Sequence, residues 1–135
     1  MEEKIVTCRI GGKEYPMCLS MRATKEITER FGGVAEAGEM LSSLRGNIAQ
    51  ALELVLWLLG VLLRDGAALT NLLHPEETPI APPPTELLEL LPPGELLGLR
   101  DQLFLCMAVG MGREVESEPG KNREAGQTGG DSLPG

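Results

Sequence analysis

Four side chains in this 135-residue chain carry ligand or nucleophile chemistry: Cys8, Cys18, Cys106 and the single histidine, His74. By count they would make a zinc site of three thiolates and one imidazole. Their spacing argues otherwise. No two fall within the short intervals that let one loop grip a metal, so three small thiols in a reducing compartment are expected. Cys106 lies between Leu105 and Met107, an apolar setting that does not activate a thiol. His74 precedes Pro75 in a loop beside Glu76 and Glu77, and reads as a solvated polar residue. The carboxylate pairs Glu2-Glu3 and Glu76-Glu77 read as surface, not as acid–base machinery. Gly11-Gly12 and Gly32-Gly33 lack the frame of a nucleotide-binding loop. With no nucleophile paired to a base, the chain is read as a non-enzyme without cofactor or metal.

The elements around these residues are more legible. Gly11-Gly12 suits a two-residue primed turn, which needs two positive φ values. That turn predicts a hairpin in which Ile10 faces Lys13, Arg9 faces Glu14, Cys8 faces Tyr15, Val6 faces Met17 and Ile5 faces Cys18. Val6, Cys8, Ile10, Tyr15 and Met17 then share an apolar face, and Arg9 and Glu14 form a charge pair on the other. The register puts Cys8 and Cys18 on opposite faces, which speaks against a disulfide between them. Pro16 cannot donate to a ladder and marks an edge strand. A lone hairpin is marginal in water, so helices must support it.

Ser20 is a good N-cap for a helix running to Phe31, with Ala23, Ile27 and Phe31 as its buried stripe and Gly32 as its stop. A second helix is expected from Val34 to about Leu44. The third, Ile48 to Arg64, has no polar face between Leu54 and Leu63, so something must cover it all round. Its 10 uncharged residues between Glu53 and Arg64 fall short of the roughly 20 that span a bilayer. No charged-then-apolar leader opens the chain, so secretion is not expected. Asp65-Gly66 is expected to end this helix, with a helical turn over 67–73. His74 to Pro84 reads as a stiff, extended, proline-rich connector. Thr85 is expected to cap a brief helix, and a last helix to run from Pro93 to about Gly112. Leu96, Leu99, Leu103 and Met107 form one stripe on it; Leu97, Phe104, Ala108 and Met111 form an adjoining one.

The expected fold is α+β and mostly α: an N-terminal hairpin packed on four to five helices in one domain, residues 1–112. The remainder, 113–135, is Gly- and Glu-rich with only Val115 and Leu133 as sizeable apolar groups, and reads as a disordered tail. The net charge of −8 and pI near 4.7 argue against a nucleic-acid partner or an anionic membrane surface. Four aromatic residues are too few for a base-stacking platform.

The segment IGGKEYPMCLSMRATKEITERFGG, Ile10 to Gly33, resembles the start of tail assembly chaperones of long-tailed bacteriophages and prophages, particularly those of Gram-positive hosts. The apolar helix around Leu54–Leu63, the Pro93-Gly94-Glu95-Leu96 element and MAVGMGRE followed by a glutamate-rich end continue the likeness, which covers roughly residues 1–116. The proline run Pro82–Pro84 departs from it. The resemblance implies a non-catalytic assembly factor in the host bacterial cytoplasm, absent from the mature virion. Such a factor binds the tape measure protein, keeps it soluble and recruits tail tube protein. It further implies a programmed −1 frameshift near Pro119-Gly120-Lys121-Asn122 giving a longer product. Methionines suit a groove that accepts varied helical registers. Leu103, Met107 and Met111 on an exposed edge of the last helix, with Trp57, are therefore the candidate partner-binding residues, unless they close the core. Self-association is the other use of such a face. The alternative readings are a structural virion protein, such as a tail tube or head–tail connector component, and an antitoxin-like adaptor. The latter is disfavoured by the want of a basic or ribbon DNA-binding element.

Overall fold

The computed structural model describes residues 1–43 and 47–113. Of the expected tail, 113–135, all but Arg113 lies outside these residues, as does the expected frameshift junction. A short 3-10 turn, Glu2–Lys4, precedes strands β1 (Val6–Ile10) and β2 (Lys13–Met17). Five helices follow: α1 (Met21–Phe31), α2 (Val34–Ser42), α3 (Ile48–Leu73), α4 (Thr85–Glu89) and, after a 3-10 turn at Pro93–Glu95, α5 (Leu96–Gly110).

Gly11 and Gly12 adopt φ values of 61° and 81°, the left-handed pair that a primed turn requires. The antiparallel ladder runs from Val6↔Met17 to Ile10↔Lys13, in the expected register. It stops short of Ile5 and Cys18. Cys8, Ile10, Tyr15 and Met17 are buried, and Arg9 meets Glu14 at 3.5 Å on the outer face. Cys18, expected opposite Cys8 on that outer face, is also buried. Beyond the ladder the chain turns under α3, and the Cys18 amide donates to the Leu62 carbonyl at 3.1 Å.

At the start of α1, the Ser20 hydroxyl accepts from the Ala23 amide at 2.9 Å, one of the orphan donors of a helix N-terminus. Gly32 closes the helix in the left-handed region. Ala23 and Ile27 are buried. Phe31 meets Trp57 edge-on, ring centroids 5.4 Å apart at 83°, a pairing worth about 0.5–1.5 kcal/mol beyond area burial.

The main departure from expectation is α3. It does not end at Asp65-Gly66 but runs on to Leu73, 26 residues in all from Ile48. Gly66 is a contact surface: a Cβ there would sit 2.1 Å from the Pro16 carbonyl oxygen and 2.6 Å from the Met17 Cα. The backbone at the end of β2 thus lies directly on the helix, which only a residue without a side chain permits. Around α3, a single core gathers hairpin residues with Leu41, Leu58, Leu59, Leu62 and Leu103, all essentially inaccessible. Each such side chain contributes about 1.5–3 kcal/mol by leaving water.

The connector after α3 is not merely extended. The Asn71 amide clamps Ile80 from both sides, donating to its carbonyl at 3.0 Å and accepting from its amide at 2.8 Å. Pro83 is buried while Pro82 and Pro84 are exposed, so the proline run touches the bundle through its middle residue. Pro84 occupies the N-cap position of α4 with no side-chain bond, and Thr85 is the first helical residue, not the cap. Likewise Pro93 opens a 3-10 turn, and the α-helix proper starts at Leu96.

Candidate functional site

The reactive inventory is enclosed. Cys8, Cys18 and Cys106 are free and buried. Burial pushes the Cys8 thiol up to about 11 and Cys106 up to about 12. Cys18 is raised by burial and then by the nearby Asp65 carboxylate. Thiolate is the reactive form, so these groups should be inert. At pH 8 a disulfide-exchange reagent is expected to titrate none of the three thiols rapidly, and all three in guanidinium. One thiol reacting in the native protein as fast as free cysteine would refute this.

His74 does not join the thiols. It caps the end of α3, where its Nε2 meets the Glu2 carboxylate from the N-terminal turn and its Nδ1 lies 3.7 Å from Glu77. The hydrogen bond to Glu2 and the surrounding carboxylates hold the imidazole above its usual value. Ligand atoms of His74, Glu76 and Glu77 lie within 4.8 Å of one another, a set that could hold a divalent cation at a half-exposed surface position.

A polar network that sequence inspection missed lies where α1 meets α3. Asp65 is 3% exposed. It accepts from the Ser20 hydroxyl and the Arg22 guanidinium and from Arg64 at 2.7 and 3.2 Å. Arg64 also reaches Glu26 at 3.1 Å. Burial alone would raise the Asp65 carboxyl, but the hydrogen bonds from Arg64, Arg22 and Ser20 outweigh it and hold the group well below the carboxylate range. An aspartate followed by glycine inside an apolar run was the available signal. This network ties α1 to α3, with Asp65 buried at its centre and the Arg22 and Arg64 side chains partly in solvent.

What remains open is apolar. The four candidate partner-binding residues separate. Leu103 is fully buried and Met107 is 4% exposed; both belong to the core, not to an exposed edge. Met111 is 49% exposed, and Trp57 is half-buried. Along α5, the second stripe is the open one: Phe104, Ala108 and Met111 line a groove of about 520 Å³ whose other wall is Val34, Ala35 and Gly38 of α2. Only the edge of Met107 reaches this groove. Glu39 and Arg113 stand at its rim.

A second trough follows α3 itself. Glu53, Leu56, Trp57, Gly60 and Arg64 recur at helical spacing and line an opening of about 390 Å³, closed on one side by Arg30 of α1 and on the other by Thr85 and Leu88 of α4. Leu56 and Leu88 also line the next hollow, about 240 Å³, with Leu52, Leu91, Pro92 and Leu96. The two hollows share these walls. Gly60 is exposed, and a Cβ placed on it would meet nothing within 4 Å. Glycine in mid-helix costs about 0.5–1 kcal/mol relative to alanine. The Arg30 guanidinium lies over Trp57, 4.9 Å from the ring centroid, and over Phe31 at 5.6 Å. Among the described residues no carboxylate forms an ion pair with it. No described helix is long and apolar enough to cross a membrane.

No protein-family model, curated protein or solved structure matches the chain.

Proposed function

We propose that this protein is a bacteriophage tail assembly chaperone. On this reading it acts without catalysis in the host cytoplasm, binding the helix-rich tape measure protein and bringing tail tube subunits to it. The resemblance of Ile10–Gly33 and of the later elements to that family supports the assignment. The physical observation that carries it is the uncovered apolar surface on a helical body: the groove between α2 and α5, and the trough along α3.

The logic is one of solubility. A long chain with apolar helical stripes aggregates unless those stripes are covered, and a helix laid in an apolar groove is the usual cover. Met111 supplies a deformable wall beside Phe104, because a thioether side chain adapts to different helical registers. The net charge of −8 keeps the complex dispersed and suppresses nonspecific sticking. The buried, proton-bound thiols have no part in this activity.

The test is co-expression with the long helical protein encoded beside this chain. The large protein is expected to move from the pellet to the soluble fraction and to co-purify with this one. Unchanged solubility and no co-purification would defeat the assignment. Purified virions should lack the chain by mass spectrometry; its presence in stoichiometric amount would favour a structural virion component.

A further inference from the structure

We infer that the trough centred on Gly60 is where the client crosses α3, and that the client segment seated there is an α-helix carrying a carboxylate beside its apolar stripe. The inference rests on the chaperone assignment above and adds to it the site and the chemistry of the occupant.

Three observations point the same way. First, Gly60 stands exposed in the middle of the most apolar helix, and beyond the helix's own neighbouring backbone nothing lies within 4 Å of where its Cβ would be. Nothing inside the molecule requires a glycine there. Packed helices approach to 8–10 Å between axes, and the smallest residues allow the closest crossings. A notch flanked by Leu56, Trp57 and Val61 is the shape such a crossing needs.

Second, the trough's walls are helices, α1, α3 and α4, and no strand edge borders it. An extended peptide would find no backbone ladder, whereas a helix has its own hydrogen bonds satisfied and needs only side-chain contact.

Third, the charges select the occupant. Arg64 at one end is already held by Glu26 and Asp65. Arg30 is exposed, is stacked on Trp57 and is in no ion pair among the described residues. A carboxylate reaching Arg30 would form a charge-assisted pair on an aromatic platform. Glu53, on the same rim, repels an acid placed one turn earlier and so fixes where it can bind.

The experiment compares Gly60→Leu, Arg30→Glu and Arg30→Lys with the wild type, each co-expressed with the neighbouring tape measure protein. Gly60→Leu replaces an exposed mid-helix glycine and should leave the melting midpoint unchanged or raise it by about 3–6 °C. The same substitution should weaken client binding about tenfold or more by filling the notch. A stabilised monomer that binds worse is an outcome a purely structural role for Gly60 would not give. Arg30→Glu should weaken binding to a similar degree, and Arg30→Lys should retain more of it. Wild-type affinity in both Gly60→Leu and Arg30→Glu would overturn the site while leaving the chaperone assignment standing. Failure of the wild type to bind the tape measure protein would remove both. If sedimentation shows a wild-type dimer that Gly60→Leu dissociates, with client binding unchanged, the occupant is a second copy and the proposal is wrong.

Discussion

Gly66→Ala is expected to be among the most damaging single changes in the protein, costing about 3 kcal/mol or more although it adds one methyl group. In an ordinary exposed helix the same substitution stabilises, because alanine is the better helix former. Here the new Cβ would lie 2.1 Å from the Pro16 oxygen and 2.4 Å from its carbonyl carbon. Both are backbone atoms that cannot rotate away. The strand end would have to lift off α3, breaking the Cys18–Leu62 hydrogen bond and opening the core beside Met17. Overpacking costs of 1–3 kcal/mol are usual where side chains can yield, and more is expected where they cannot. Urea denaturation of the wild type and variant measures the difference. A variant as stable as the wild type would show that α3 and β2 do not touch as described.

Asp65→Ala should destabilise by about 2–4 kcal/mol at neutral pH, because one buried carboxylate organises Ser20, Arg22 and Arg64. Its effect should depend on acidity with a definite sign. The folded-state carboxyl titrates far below its ordinary value of 3.8. Its contribution is thus complete above that value and drains as pH falls through and below it. Each unit of pH under the unfolded value removes about 1.4 kcal/mol of the advantage. The gap between wild type and Asp65→Ala should therefore be full at pH 7 and clearly smaller at pH 2.5. Other carboxylates titrate in both proteins and cancel in the comparison. An equal gap at the two pH values would mean that Asp65 acts by packing and not by charge.

These two neighbours also show where reading the sequence succeeds and where it stops. The Gly11-Gly12 turn, the ladder register and the Ser20 cap are set by residues a few positions apart, and they were legible. Asp65-Gly66 looked like a helix break by the same local rules. The partners that reverse this meaning, Pro16, Ser20 and Arg22, are more than 40 residues away. Tertiary packing overrides local propensity when a glycine receives another backbone or an aspartate receives two guanidinium groups. The last helix failed differently. Its two apolar stripes were correctly drawn, but from Leu103 to Gly110 no polar side chain marks an outside. Only the packing shows that Leu103 and Met107 face inward while Phe104, Ala108 and Met111 look onto α2. Trp57 could be picked out by type, but nothing local announces that Arg30 covers it. Thr85 yielded its expected capping place to Pro84, which sits in extended backbone just before the first helical residue.

The central position of α3 has a consequence for biosynthesis. The hairpin leaves the ribosome before α3, yet its apolar face and the end of β2 rest on residues around Leu62 and Gly66. A two-stranded ribbon has little stability alone. The nascent hairpin must therefore wait, unsupported, until translation has passed residue 66 and the long helix has cleared the exit tunnel. Synthesis halted before that point should yield a protease-sensitive stub, and resistance should arise late and all at once.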